Sequence, residues 1–178
     1  MDNQIIKDTP LEGVFVIDRP NFSDERGFFK ETFRKSELEE KLGYEFVPVQ
    51  QNHSRSVRGV LRGIHVAPWS KLVYCVNGTV QEVVVDLRPK SSTYGKSFSI
   101  VLGEEKKACL YLPPFCGNAF LTLSETADYA YLVTDYWAPG KEFGVAWNDP
   151  DLSINWQISA PILSEKDQQN PRFREIKV

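Results

Sequence analysis

The chain holds 178 residues, enough to bury a core and short enough to make one domain over residues 1–178 the expectation. Hydrophobic residues at 42% and charged residues at 25% exclude a disordered or fibrous chain, and a net charge of -3 lacks the cationic excess of a nucleic-acid binder. No stretch nears the ~20 apolar residues of a membrane span, and the opening MDNQIIKDTPLEG has no apolar signal core, so the expected location is the cytoplasm with no membrane partner.

The first credible element is a charged helix over 35–42 (KSELEEKL), with Leu38 and Leu42 four apart and Gly43 as its stop; it should pack on the outside. The segment LVYCVNGTVQEVVVDLR (72–88) holds two Val- and Tyr-rich runs split by Asn77-Gly78, the pattern of a β-hairpin. Strand-like runs follow at 97–102, 108–113, 118–123 and 128–137. The tail after Trp156 is more polar and reads as a short helical turn around SEKD (164–167) with a frayed end. Closely spaced short strands imply an all-β sandwich or barrel with a few short outer helices. Such a barrel encloses a small-molecule pocket and leaves sheet edges for a second subunit, so a homodimer is expected.

Cys75, Cys109 and Cys116 lack CxxC spacing and are expected as buried free thiols. His53 and His65 are the only histidines, which rules out a three-histidine metal site within one chain. Carboxylate-rich Mg²⁺ or Ca²⁺ sites stay conceivable, but there is no DxDxDG loop and no glycine-rich phosphate loop, so a nucleotide cofactor has no visible cradle and no cofactor is expected. The densest polar cluster runs over 50–65 and continues to Lys71. In a strand over 61–65, alternation would set Leu61, Gly63 and His65 on one face and Arg62 and Ile64 on the other, so Arg62 and His65 would serve different parts of a site. A hydrogen-bonded strand histidine among solvated arginines is the plainer reading, and spacing alone leaves both open.

The segments DERGFFKE (24–31), QQN (50–52), VLRGIH (60–65), KLV (71–73), VVDLR (84–88), WNDP (147–150) and PILSEKD (161–167), in that order, resemble the dTDP-4-dehydrorhamnose 3,5-epimerase family over nearly the whole chain. The resemblance implies a cupin-like double-stranded β-helix, or jelly-roll, barrel. It also implies metal-independent isomerase chemistry on a nucleotide-diphosphate 4-keto-6-deoxy sugar or 4-keto heptose. A 4-keto group acidifies the hydrogens on C3 and C5, so a base can remove one, leave an enolate, and let a proton return from the other face.

By resemblance, His65 is the general base, Asp167 the carboxylate that fixes its tautomer, and Tyr131 the proton donor from the opposite face. Lys71 is the cation near the keto oxygen. Gln50, Asn52 and Arg62 match groups around the sugar and diphosphate, and Arg26, Phe29 and Glu31 match a segment reaching the nucleotide of a neighbouring subunit. Structural alternatives are a capping box of Asp167 with Ser164, a satisfied barrel tyrosine at Tyr131, whose face Tyr129 shares, and a surface lysine.

The family's P-x-G-F-A-H-G-F reads here as PPFCGNAF (113–120), so Asn118 replaces a second active-site histidine; Trp137 replaces a tyrosine, and the loop over 66–70 is short. Asn118 and Trp137 are therefore expected in an altered substrate pocket. The nucleotide (dTDP, CDP or GDP) and the choice of C3 alone or both C3 and C5 stay open. The expected role is epimerisation in the supply of sugars to an O-antigen or capsule; a 3,4-ketoisomerase and a non-catalytic sugar-nucleotide-binding cupin are the alternatives.

Overall fold

The computed structural model describes residues 4–176. In chain order the elements are β1 (Ile6–Asp8), β2 (Phe15–Ile17), β3 (Asn21–Asp24), β4 (Gly27–Lys30), α1 (Lys35–Leu42), β5 (Gln50–Val57), β6 (Leu61–Val66) and β7 (Lys71–Asn77). There follow β8 (Thr79–Asp86), β9 (Ser97–Gly103), β10 (Cys109–Leu112), β11 (Cys116–Thr122), β12 (Thr126–Val133), β13 (Phe143–Gly144), α2 (Glu165–Gln168) and a 3₁₀ turn at Phe173–Glu175. Two antiparallel sheets face each other, ordered β1-β2-β10-β7-β12-β5 and β13-β6-β11-β8-β9, while β3 and β4 form a separate hairpin. This is the all-β, cupin-like jelly-roll barrel with short peripheral helices.

Between the sheets lies a core of Val73, Cys75, Val80, Val84, Leu110, Phe120 and Tyr129. Strand β8 is buried along nearly its whole length because Val80 and Val84 belong to this inner core while Val83 and Val85 join an outer cluster with Ile64, Val145 and Leu152. Continuous burial on both faces explains its Val-rich run. On the outer face of the six-stranded sheet, α1 docks through Leu38 beside Phe46 and Tyr111, and Gly43 closes the helix in the left-handed conformation at φ 74°. All three cysteines are buried and unpaired, with burial pushing each thiol up to about 12.

Three expectations are corrected. The runs on either side of Asn77-Gly78 do not pair with each other: β7 lies between β10 and β12, and β8 lies between β11 and β9 in the other sheet. The turn instead carries the chain from one sheet to the other, with Gly78 at φ 77° and no room for a side chain beside the Thr126 carbonyl. The strand expected over 128–137 ends at Val133, before Tyr136 and Trp137. The tail is not frayed up to residue 176: Phe173 and Ile176 pack against the outer cluster of the five-stranded sheet.

Candidate active site

The site grows from an irregularity in β6. Opposite it on β11, Phe120 faces Arg62 and Asn118 faces His65, so β6 takes three steps where β11 takes two. One additional residue in a strand reverses the alternation beyond it. Arg62 and His65 therefore line the same cavity, and the expectation that they face opposite ways is overturned. Gly63 sits in the irregular step at φ 120°, where a Cβ would lie 2.6 Å from the Ala119 methyl and from the Asn118 carbonyl oxygen.

That cavity, of about 160 Å³, opens between the sheets. The five-stranded sheet supplies Arg62, His65 and Asn118, and the six-stranded sheet supplies Asn52, Lys71 and Tyr131. His65 and Tyr131 thus approach one space from opposite walls. A second cavity of about 310 Å³ shares Arg62 and His65 and is bounded by Leu163, Ser164, Lys166 and Asp167.

His65 Nε2 lies 2.7 Å from Asp167 Oδ1. With Nε2–H donating to a carboxylate, Nδ1 is the nitrogen left with a free lone pair. Asp167 is 4% exposed. Burial alone would raise its carboxyl, but the hydrogen bond and charge of His65, with donors at Ser164 and the Gly63 amide, hold it below the usual aspartate range. Helix α2 makes this placement possible. Ser164 Oγ caps it by accepting from the Asp167 amide at 3.1 Å, so the Asp167 backbone satisfies the cap while its side chain turns to His65.

Lys71 is 4% exposed and donates to Asn118 Oδ1 at 2.7 Å and to the His65 carbonyl at 3.4 Å. Burial pulls its ammonium below the ordinary lysine range, and the carboxylates of Glu142 and Glu82 oppose that shift. The Tyr131 phenol is pushed above its ordinary value, first by burial and then by Glu142, with Arg62 and Asn52 pulling the other way. Tyr129, on the same face of β12, is 1% exposed, stacks on Phe120 at 4.1 Å and donates its hydroxyl to Glu82 Oε2 at 2.8 Å. Its phenol is spoken for; that of Tyr131 faces the cavity.

The remaining sequence candidates lie outside this group. Gln50 sits at the lip, its Nε2 donating to Asn52 Oδ1 at 2.8 Å and its Oε1 accepting from the Trp137 amide at 3.2 Å, and the Trp137 ring is exposed. Arg26 and Phe29 lie on the exposed β3–β4 hairpin, away from the cavity, where Arg26 pairs with Asp24. Glu31 is bound by Arg19 at 2.7 Å and Arg34 at 2.9 Å. Two acidic residues that sequence reasoning missed belong to the site. Glu142 lines the cavity 3.9 Å from Lys71, and Glu82 lies wholly buried beneath it. The signal for Glu82 was a lone carboxylate inside a Val-rich, doubly buried strand.

Among the described residues no group of three or more His, Cys, Asp or Glu side chains is arranged to hold a metal ion, and no helix is long and apolar enough to cross a membrane. What the cavity holds is a carboxylate-backed imidazole, a phenol on the facing wall and a buried ammonium, a set suited to moving protons on and off carbon beside a carbonyl.

Comparison with known proteins agrees. The family model for dTDP-4-dehydrorhamnose 3,5-epimerase matches residues 8–175. The chain is 44% identical over 169 residues to the dTDP-4-dehydrorhamnose 3,5-epimerase of Pseudomonas aeruginosa, covering 93% of each. It is 39% identical over 162 residues to a dTDP-4-dehydrorhamnose 3-epimerase of Streptomyces niveus, covering 89% of this chain and 78% of that protein. The crystal structure of dTDP-6-deoxy-D-glucose-3,5-epimerase from Legionella pneumophila in complex with dTDP-4-keto-L-rhamnose superposes with a TM-score of 0.91 at 38% identity, covering 97% of this chain and 94% of that one. With the match spanning both sheets, the site and α2, the chain belongs to the dTDP-4-dehydrorhamnose 3,5-epimerase family, a family of isomerases.

Proposed function

We propose that this protein epimerises a dTDP-linked 4-keto-6-deoxyhexose at C3 and C5. The observation that carries the reading is the pairing of His65 with Asp167 on one wall of a cavity whose facing wall carries Tyr131. In each half-reaction His65 Nδ1 takes the proton from the carbon beside the carbonyl, and the C–H electron pair moves into the ring to form the enolate. Asp167 stabilises the imidazolium so formed. The Lys71 ammonium meets the charge that grows on the keto oxygen, an effect commonly worth a few kcal/mol of barrier. Tyr131 then delivers its proton to the opposite face, the carbonyl reforms, and solvent exchange restores both groups. The electron sink is the substrate's own carbonyl, so the reaction asks for no metal or cofactor.

Asn52 and Arg62 would bind sugar and diphosphate oxygens, with Gln50 and Trp137 at the lip. The nucleotide end would be completed by Arg26, Phe29 and Glu31 of a second subunit in a homodimer. That role fits the hairpin's exposure and its distance from its own cavity. The enzyme would work as a single domain in the cytoplasm, in the supply of deoxysugars to a cell-surface polysaccharide. Epimerisation at C3 alone is the second reading: Asn118 is a cavity amide that cannot titrate, and one relative of similar identity is named a 3-epimerase.

The test is incubation with dTDP-4-keto-6-deoxy-D-glucose in D₂O, read by NMR. Deuterium at C3 and C5 with inversion is the expected result; deuterium at C3 alone selects the second reading. A carbonyl moved to C3 would mean a ketoisomerase, and no exchange with dTDP-, CDP- or GDP-linked substrates would mean a binding protein. His65→Asn should abolish exchange at every centre that the wild type labels.

A further inference from the structure

The mechanism leaves unused a buried acid beside the cavity. Glu82, on β8, is 0% exposed and sits at the floor of the sugar cavity among β7, β11 and β12. Its Oε2 accepts from the Tyr129 hydroxyl at 2.8 Å, and its Oε1 is buried with no partner among the described residues. The Asn118 side chain lines the same cavity as Tyr129 and neighbours Glu82, and its carbonyl oxygen accepts from Lys71 Nζ at 2.7 Å. An amide has one acceptor end and one donor end. With Oδ1 committed to Lys71, the NH₂ is left to seek an acceptor, and the unpartnered Glu82 Oε1 is a neighbouring one.

We infer that Glu82 is a positioning residue of the reaction, whose carboxyl, clamped by Tyr129, orients the Asn118 amide so that its oxygen fixes the Lys71 ammonium at the keto oxygen. Asn118 would then be one link in a line running from β8 through β11 to β7. The inference rests on the epimerase reading above. It also explains why the floor tolerates an amide at 118: the link needs an acceptor and a donor there, not a titrating group.

The charge state of Glu82 decides whether the device helps or hinders. Burial pushes the carboxyl up to about 8, against the bond from Tyr129, the charge of Lys71 and the nearby Asn118 amide. Below that pH it is a neutral acid and leaves the Lys71 charge free for the enolate. Above it the carboxylate competes with Asn118 for the ammonium and cancels its field. The titratable groups around it are Lys71 and Cys75 on β7 and Tyr129 on β12, with Tyr131 next along that strand and Glu142 beyond Lys71. The Cys75 thiol is pushed up to about 12 and Tyr129 well above its ordinary range, so neither titrates near pH 8.

The experiment compares wild type, Glu82→Leu and Glu82→Gln by steady-state kinetics on the 4-keto substrate from pH 6 to 9.5, with thermal melts to certify folding. Glu82→Leu removes the acceptor and should lose at least about tenfold in kcat with KM little changed, because Lys71 acts on charge present only in the transition state. Glu82→Gln restores an acceptor for Tyr129 that cannot ionise; it should recover most of the rate and lose the decline expected of wild type through about pH 8. A folded Glu82→Leu enzyme with wild-type kcat would overturn the inference. So would a Glu82→Gln enzyme with the wild-type alkaline decline, and this second arm decides if the Leu variant does not fold. A wild-type protein inactive on every 4-keto substrate would instead sink the epimerase reading, before Glu82 enters.

Discussion

A phenol can donate a proton only while it keeps one, and Tyr131 is placed to keep it. Burial and the nearby Glu142 carboxylate push its titration above the ordinary tyrosine value, so it stays protonated through neutral and mildly alkaline pH. Across the cavity, His65 would have the complementary task, with Asp167 held below the usual aspartate range and bonded to Nε2. If the two groups divide the work, Tyr131→Phe should slow inversion by about 10² or more. The His65 half of the reaction would survive, and solvent deuterium returned by the same imidazole would label C3 with retained configuration. NMR of recovered substrate reads both quantities; inversion at the wild-type rate would remove Tyr131 from the role. At this scale the sequence was informative only through family likeness. Alternation alone puts Tyr129 and Tyr131 on one face, and what separates them is tertiary: Tyr129 reaches the floor and finds Glu82, whereas Tyr131 stops at the cavity wall.

Strands were the most legible elements, because Val-rich runs between turn residues need little tertiary context to be strands. Pairing was less legible. Asn77-Gly78 has the residues of a two-residue hairpin, yet its left-handed glycine here turns the chain into the facing sheet, and only long-range partners for β7 and β8 distinguish the two outcomes. The extra residue in β6 was equally invisible, since a bulge is a property of two strands and the sequence presents one at a time. The segment VVDLR, part of the family likeness, has a structural use at the end of β8. Asp86 is wholly buried and accepts from Arg88, from Ser91 Oγ at 2.5 Å and from Thr93 Oγ1 at 2.6 Å, tying down the loop that leads to β9. Burial would raise this carboxyl, but those donors together hold it down at about 2. An ordinary aspartate titrates near 3.9, so folding favours the ionised form. Its contribution is complete above about pH 4 and is lost as pH falls through about 2. Asp86→Asn should therefore lower the urea midpoint at pH 7 and flatten its acid dependence; a variant whose midpoint falls between pH 4 and 2 as steeply as wild type would show that the loop does not draw on this charge.

For the molecule as a whole, the two cavities bring together His65, Lys71, Tyr131 and Asp167, the groups proposed for the reaction, but leave the expected nucleotide contacts elsewhere. Arg26 and Phe29 stand on a hairpin with Phe22, Phe28 and Phe29 all exposed, and that hairpin is not hydrogen-bonded into either main sheet. A monomer has no evident reason to hold three phenylalanines in water at one ribbon. The outer face of the six-stranded sheet adds a groove of about 330 Å³ lined by Phe33, Leu72, Tyr74, Val76 and Leu132, a second apolar surface on the same side of the barrel as α1. If the hairpin crosses to a second subunit, each site takes His65 from one chain and Arg26 from the other, and defects in the two residues should complement. A His65→Asn chain mixed with an Arg26→Ala chain forms heterodimers in which one site is intact and the other carries both lesions. With random pairing half of the dimers are mixed, so a refolded equimolar mixture should regain about a quarter of wild-type activity although each parent is nearly inactive. Were the hairpin to serve its own chain, every site in the mixed dimer would carry one lesion and the mixture would do no better than the parents. The recovery therefore measures which chain supplies Arg26, independently of whether the protein is found as a dimer.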